Sequence, residues 1–278
     1  MEKTYDIIIW GASGFTGRLV VDYFCHSQSN TNLAWAVAGR NETKIKEVLK
    51  GRDIPVIIAD SHDKDSLNDL VKKTKVILTT VGPYARYGSK LVEACAENGT
   101  HYCDLTGEVH WMRHMINKYQ LIAKESGAKI VHTCGFDSIP SDIGVFFLQK
   151  NMREMHGVNA KQIKYRTRGF SGGASGGTVD SLMSMMEEAK KDPSIFKIIS
   201  NPYSLNEKNT GLDGPDKMSP YFDKDFNAWV GPFIMAGINT RVVRRTNELL
   251  DYIYGQDFMY DEGSITGKGP RGLIGASI

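Results

Sequence analysis

The stretch DIIIWGASGFTG, residues 6–17, decides the fold of this chain of 278 residues. The apolar residues 6–10 predict a short buried strand, and residues 18–24 predict the start of a helix. Three glycines separate the strand from the helix, and they are Gly11, Gly14 and Gly17. A strand, a glycine turn and a helix, in that order, bring backbone N–H groups together at a helix N-terminus, where a diphosphate binds.

Each glycine of this turn has a distinct expected role. Gly11 allows the tight turn, Gly14 lets a phosphate approach the backbone, and Gly17 lets the helix pack close to the strand. We expect the whole turn to contact a dinucleotide, and its residues are Gly11, Ala12, Ser13, Gly14, Phe15, Thr16 and Gly17. The alternative is an ordinary strand-to-helix turn.

A second stretch, GPRGLIG at 269–275, has the same glycine spacing. We expect no apolar strand before it and no helix after it, because the chain stops at residue 278. The assignment of the N-terminal turn therefore depends on its context and not on the spacing alone.

The composition is typical of a soluble globular protein, with 41% hydrophobic and 24% charged residues. A net charge of +2 implies no general attraction to nucleic acid. The four cysteines form no C-x-x-C pair, which favours reduced thiols and a cytoplasmic location. We expect no signal peptide and no membrane span, and peripheral contact with lipid stays open. No pattern indicates a metal site.

The first half alternates apolar runs with amphipathic segments, which predicts an open parallel sheet covered by helices on both faces. We therefore expect an α/β fold, a doubly wound Rossmann-type domain over residues 1–150. The predicted strands are 6–10, 33–38, 56–59, 75–81, 101–105 and 129–133. The predicted helices are 16–26, 42–50, 64–73, 88–98 and 109–126.

The ends of the second and third predicted strands indicate which dinucleotide binds. Arg40 follows the second strand, and no acidic residue precedes Glu42. An acidic side chain there would bind the ribose hydroxyl of NAD, whereas an arginine accepts the 2′-phosphate of NADP. NADP is therefore expected over NAD, unless Arg40 is a solvated surface residue. Asp60 lies at a suitable place for the adenine edge, and a plain helix cap explains it equally well.

Three further strand ends supply candidates for the nicotinamide side. Gly82, Pro83 and Tyr84 end the fourth strand and are expected near the nicotinamide ribose. Tyr84, Glu108 and Asp137 are the candidate proton donors or acceptors. The alternatives are packing for Tyr84, a helix cap involving Glu108, and capping of the next helix in the loop that contains Asp137.

From residue 151 to 278 the pattern changes to a predicted α+β domain with a mixed or antiparallel sheet, which faces the substrate. Residues 160–168 alternate apolar and basic side chains and predict a half-exposed antiparallel strand. A helix over 178–191 has a methionine-rich face, which is more often core than a substrate pocket. A later helix within 232–254 carries Arg241, Arg244 and Arg245, which we interpret most simply as a solvated face. We expect the end of the chain to lack a terminal element.

Taken together, several motifs resemble one family. They are GASGFTG at 11–17, AGR at 38–40, GPYARYG at 82–88, CDLTGE at 103–108 and GFDSIPSD at 135–142, followed by SGGASGGT at 171–178 and VVRRTNELL at 242–250. The chain resembles the saccharopine dehydrogenase-like oxidoreductases, in particular the branch of trans-acting enoyl reductases. Members of that family are usually longer, so the second domain is expected to be incomplete.

The resemblance implies a Rossmann domain followed by a mixed α+β domain, with the nicotinamide between them. It implies reduction of a C=C, C=O or C=N bond by NAD(P)H, and a lipid-like substrate is favoured. A saccharopine-type enzyme acting on amino-acid adducts, with arginines at 166, 168 and 241–245 for carboxylates, is the second reading. A non-catalytic NADP sensor is the third. A homodimer is compatible with the sequence.

Overall fold

The computed structural model describes residues 3–27, 32–136, 138–169, 176–208 and 211–277, without the side chains of residues 177–179 and 182. The chain divides into two compact units. The first comprises Met1–Gly135 and Gly176–Met185, and the second comprises Phe136–Ser175 and Met186–Ile278. Each unit is described by itself below.

The first unit contains a six-stranded sheet in which every strand is parallel to its neighbours. Its strands are β1 (Tyr5–Trp10), β2 (Trp35–Gly39), β3 (Val56–Ile58), β4 (Thr74–Thr79), β5 (His101–Cys103) and β6 (Ile130–Val131). The order β3-β2-β1-β4-β5-β6 is that of a doubly wound sheet, which confirms the predicted fold class. Strand order reverses between β1 and β4, so this pair is the topological switch point.

Helices connect these strands where the sequence pattern predicts them, together with one short helix, Tyr84–Tyr87, that it does not predict. They are α1 (Phe15–Ser27), α2 (Glu42–Leu49), α3 (Lys64–Lys72), α4 (Tyr84–Tyr87), α5 (Ser89–Glu97) and α6 (Val109–Ser126). Ile9 and Val37 of the sheet pack with Val21 of α1 and Ile45 of α2 in one buried cluster. Strands β1 and β2 are apolar because helices must bury them, which is why their positions are readable from sequence.

The second unit contains a four-stranded mixed sheet with the order β7-β10-β9-β8. Its strands are β7 (Gln162–Thr167), β8 (Tyr221–Asp223), β9 (Ala228–Gly231) and β10 (Met259–Gly267). The other helices of the chain are α7 (Ile139–His156), α8 (Gly176–Lys191), α9 (Ser194–Ser200), α10 (Ala236–Leu249) and α11 (Gly269–Ala276). A mixed sheet confirms the predicted α+β character of this part of the chain.

The prediction of an antiparallel β7 is wrong, because β7 pairs in parallel with β10. The two basic residues within β7, Lys164 and Arg166, form ion pairs with aspartates, whereas Lys161 and Arg168 on either side of the strand are exposed. Arg166 is buried and its guanidinium pairs with Asp223 at 3.0 Å and with Asp261 at 2.5 Å. The charged face of this strand is therefore occupied by ion pairs within the protein. The period of the sequence pattern cannot distinguish such a face from one that is exposed to solvent.

The prediction for the end of the chain is also wrong. A strand, β10, precedes the stretch 269–275, and this stretch forms α11, which packs on β9 and β10. Pro270 fits the first turn of α11, where its missing N–H costs nothing. Gly272 is required for the packing, because a Cβ there would lie 2.2 Å from the Gly267 carbonyl oxygen.

The two units divide at Gly135 and Phe136, whereas we expected a boundary at residue 150. The expected boundary falls within α7, whose Val145 belongs to a buried cluster with Val243, Tyr254, Phe258 and Tyr260. This cluster joins α7 to the second unit. The sequence shows the change of pattern but not the partner of α7.

The helix α10 does not carry a solvated arginine face, which corrects a further prediction. The side chain of Arg241 is 1% exposed and pairs with Asp216, and that of Arg244 is 4% exposed. Arg244 Nε donates to Asp213 Oδ2 at 2.6 Å, and its Nη atoms donate to the carbonyls of Pro202 and Tyr260 at 2.9 Å each. Every charge is met by a partner, as burial of a guanidinium requires.

We predict that Arg244→Met lowers the free energy of unfolding by about 3–5 kcal/mol, because it leaves Asp213 buried without its counter-charge. Lys46→Met is the matched control, since Lys46 forms an exposed ion pair with Glu42 and should cost less than about 0.5 kcal/mol. Urea denaturation of both variants measures the difference. Equal effects of the two substitutions would contradict the role given to Arg244.

Candidate functional site

The glycine turn lies at the carboxyl end of β1, at the switch point of the first sheet. Two backbone hydrogen bonds fix it to the neighbouring strands. The Gly11 N–H donates to the Ala38 carbonyl and the Thr80 N–H donates to the Trp10 carbonyl, each at 3.0 Å. Ligands of open α/β sheets bind at this position, so the predicted turn lies where a ligand is expected.

Close contacts explain two of the three glycines of the turn, Gly11 and Gly17. Gly11 has a φ of +91°, and a Cβ there would lie 2.5 Å from the Val81 side chain. A Cβ on Gly17 would lie 2.1 Å from the Gly11 carbonyl oxygen, so α1 could not pack where it does. A Cβ on Gly14 meets only that same oxygen, at 3.3 Å. Gly14 therefore keeps the approach to the turn open, as a diphosphate would need.

The N-terminus of α1 supplies hydrogen-bond donors at this opening. The helix begins at Phe15, and the N–H groups of its first turn have no partner within the helix. Arg18 reinforces the positive end, because its Nε donates to the Ser13 carbonyl at 3.1 Å and holds the guanidinium beside the turn. We did not predict a role for Arg18 from the sequence, although a basic residue directly after the third glycine was a signal.

The end of β2 presents an exposed cation. Arg40 is exposed, and no hydrogen bond or ion pair joins its guanidinium to the residues that the structure describes. Asn41 instead caps α2, accepting from the Lys44 N–H at 3.0 Å. Glu42, the next acidic residue along the chain, pairs with Lys46 at 2.6 Å. The strand end thus offers a positive charge and no free acidic group.

At the end of β3, Asp60 shapes the turn before α3. Its Oδ1 accepts from the His62 N–H at 2.8 Å, and its own N–H donates to Ser66 Oγ at 2.9 Å. Asp63, and not Asp60, is the cap of α3. The helix-cap alternative for Asp60 is therefore wrong, and its place near an adenine edge stays a prediction.

After β4, Gly82 and Pro83 lead into the short helix α4, which begins with Tyr84. The Tyr84 hydroxyl is buried, donates to the Thr79 carbonyl at 3.3 Å and accepts from the Leu105 N–H at 3.4 Å. Burial raises the pKa of Tyr84 above its ordinary value. The phenol is thus held within the fold and joins the loops that follow β4 and β5.

Glu108 is buried, and its carboxylate binds the backbone N–H of Tyr84. Its carboxylate accepts from the N–H groups of Tyr84 and Ala85, at 2.8 Å each, and from the Ser181 hydroxyl at 2.9 Å. It therefore caps α4 and not α6, on which its own side chain makes no cap. The structure brings two of the three candidate catalytic residues together, and Glu108 holds the backbone of Tyr84 in place.

A buried histidine and aspartate form a pair that we did not predict. Asp104 accepts from the Tyr102 hydroxyl at 2.9 Å and from the Thr133 N–H at 2.9 Å, and it lies 2.6 Å from His132 Nδ1. His132 packs edge-on against Trp111, with 5.1 Å between the ring centroids. The signal in the sequence was the position of His132 at the end of β6, next to β5 in the sheet.

The third candidate, Asp137, lies outside the described residues. The neighbouring Ser138 donates to Asn239 Oδ1 at 2.8 Å, and Asn239 Nδ2 donates to Glu262 Oε2 at 3.0 Å. Burial raises the pKa of Glu262. Ser138 occupies the N-cap position of α7, but its side chain makes no capping bond to that helix.

Among the described residues, no group of three or more His, Cys, Asp or Glu side chains could hold a metal ion. No helix in those parts of the chain is long and apolar enough to cross a membrane.

Comparison with known proteins adds to this geometry. Residues 7–131 match the saccharopine dehydrogenase NADP binding domain. The trans-acting enoyl reductase of Mycobacterium ulcerans is 36% identical over 284 residues, which cover 96% of this chain and 67% of that protein. The trans-acting enoyl reductase of Mycobacterium tuberculosis strain H37Rv is also 36% identical, over 282 residues. The chain spans about two thirds of the length of the curated relatives that it matches, at 66% and 67%.

Among solved structures, apo saccharopine dehydrogenase (L-Glu forming) from Saccharomyces cerevisiae matches 58% of this chain and 34% of its own, at 16% identity and a TM-score of 0.42. A triphenylmethane reductase from Citrobacter sp. complexed with NADP(H) matches at 15% identity and a TM-score of 0.38, over 58% of this chain and 57% of its own. The assignment depends on the sequence matches alone. The chain belongs to the saccharopine dehydrogenase-like family that includes the trans-acting enoyl reductases.

Proposed function

We propose that the chain binds NADP(H) at the glycine turn and reduces the C=C bond of a lipid-like enoyl substrate. The proposal of NADP as cofactor depends on one observation. An open glycine turn after β1 occurs together with an exposed Arg40 at the end of β2. The names of its relatives, which are trans-acting enoyl reductases, support the reaction. Bound NADPH supplies a hydride, and the protein supplies orientation and a proton.

The residues at the sheet edge fit the parts of NADP. The free N–H groups at the start of α1 face the place where a diphosphate would approach past Gly14. Arg40 would hold the 2′-phosphate, since its guanidinium has no partner among the described residues. The backbone of Gly82, Pro83 and Tyr84 follows β4, across the switch point from β1, and is proposed to contact the nicotinamide ribose.

The proton donor stays a prediction for Tyr84, Glu108 and Asp137. The contacts of the first two support positioning roles. Glu108 is an acceptor of three hydrogen bonds, and the Tyr84 hydroxyl is bonded to two backbone groups. We infer that Glu108 fixes α4, and that α4 in turn fixes the loop after β4 near the cofactor.

The arginines of the second unit favour a lipid-like substrate over an amino-acid adduct. An adduct carries carboxylates and needs free positive groups. Three of the arginines predicted for this role, Arg166, Arg241 and Arg244, are buried against aspartates, whereas Arg168 is exposed. By contrast, Met183 and Met186 of α8 are 57% and 55% exposed, and such flexible side chains suit an apolar ligand. The cytoplasmic location and the homodimer remain predictions from the sequence.

We predict that Arg40→Ala weakens NADPH binding by about 10- to 100-fold, because a charged hydrogen bond contributes about 1.5–3 kcal/mol. NADH binding should not change, since NADH has no 2′-phosphate. Lys44→Ala, which removes a nearby exposed charge on α2, is the matched control. Calorimetric titration with both nucleotides measures the effect. Equal weakening of NADH and NADPH would contradict the role of Arg40.

Deuteride transfer tests the reaction itself. NADPH deuterated at nicotinamide C4 is mixed with the chain and either a medium-chain trans-enoyl thioester or an imine of an amino acid. We expect deuterium at the β-carbon of the saturated thioester and none in the imine product, because Arg166, Arg241 and Arg244 are already paired with aspartates. Transfer to the imine instead would support the adduct reading. Tight NADPH binding with no transfer to either probe would support a sensor.

A further inference from the structure

Two cysteines meet at the carboxyl edge of the first sheet. Cys103 is the last residue of β5, and Cys134 follows β6, the next strand of the sheet. Parallel pairing places Cys103 opposite Val131. The Cys134 thiol lies 3.6 Å from the Val131 carbonyl oxygen, and the Cys134 N–H donates at 2.6 Å to the carbonyl of Asp104, the residue after Cys103.

An uncommon backbone conformation brings Cys134 back toward β5. Thr133 has a φ of +58°, a left-handed value that a β-branched residue rarely adopts. Asp104 holds this turn from the neighbouring strand. Its Oδ1 accepts from the Thr133 N–H at 2.9 Å, and its carbonyl accepts from the Cys134 N–H at 2.6 Å. The approach of the two thiols is therefore fixed by a buried network.

We propose that Cys103 and Cys134 are a redox-active dithiol that a hydroperoxide converts into an intrachain disulfide. Cys134 is exposed and Cys103 is partly exposed, so an oxidant can reach the pair. A disulfide needs Cα atoms about 4.4–6.8 Å apart, and the turn at Thr133 returns Cys134 to the backbone of Asp104, directly after Cys103. The proposal does not depend on the proposed reductase activity.

The reaction balances with the hydroperoxide as oxidant. The Cys134 thiolate attacks the O–O bond, which breaks to give a sulfenic acid on Cys134 and to release water or an alcohol. The Cys103 sulfur then attacks the sulfenic sulfur and loses its proton, so the S–S bond forms as water leaves. Two electrons pass from the two thiols to one peroxide.

The order of attack follows from the local chemistry. The neighbouring Cys103 thiol lowers the pKa of Cys134, and Cys134 in turn raises the pKa of Cys103. Burial raises the pKa of Cys95, which lies inside α5. A thiolate is the reactive form, so the exposed Cys134 reacts first and Cys103 resolves the product.

The test is peptide mapping without reduction after treatment of the full chain with hydrogen peroxide. Trypsin would release Cys103 in the peptide 91–113, together with Cys95, and Cys134 in the peptide 130–150. We expect these two peptides to become linked, with the loss of two of the four free thiols, and dithiothreitol to restore them. Fragmentation of the linked pair should locate the bond at Cys103.

Three variants keep the test decisive. Cys134→Ser changes an exposed side chain and should abolish the link, as should Cys103→Ser, whereas Cys95→Ser should retain it. Circular dichroism checks that each variant folds. The proposal is overturned if the link survives in Cys103→Ser through Cys95. It is equally overturned if Cys134 is oxidised to the sulfinic acid with no link to Cys103.

Discussion

The close approach of Gly17 to Gly11 is the contact on which the first unit depends. No side chain fits there, because a Cβ on Gly17 would overlap the Gly11 carbonyl oxygen at 2.1 Å. This contact sets α1 against β1 and aims the first turn of the helix at the switch point of the sheet. Gly14, by comparison, has room on its open side, so the same turn that packs tightly at one end admits a ligand at the other.

The two units use their charged side chains differently. The first unit leaves Arg40 exposed at the strand edge, next to a helix N-terminus that attracts anions. The second unit pairs the buried side chains of Arg166, Arg241 and Arg244 with aspartates. An anionic cofactor is therefore favoured at the first sheet edge. A substrate recognised mainly by its carboxylates is disfavoured, which is why a lipid-like chain is the better candidate.

Sequence reasoning recovered the first sheet closely, since buried parallel strands are apolar on both faces and their helices carry local start signals. It placed α6 at Val109–Ser126, with the bounds that the structure has. Prediction from the sequence failed for side chains whose hydrogen-bond or ion-pair partners lie far away along the chain. Glu108 caps a helix 24 residues earlier, Asp104 meets His132 28 residues later, and the α10 arginines find aspartates in a polar loop. Periodicity shows that a side chain has a preferred face but not what covers that face.

The most direct measurement is calorimetric titration of NADPH into the wild-type chain and into Gly14→Ala, with thermal unfolding of both. The added methyl group would project into the opening of the turn while contacting only the Gly11 oxygen at 3.3 Å. If the diphosphate binds there, NADPH affinity falls by about tenfold or more, a loss of about 1.4 kcal/mol, with little change in the unfolding temperature. Unchanged NADPH affinity in a folded Gly14→Ala variant would contradict a dinucleotide site at this turn.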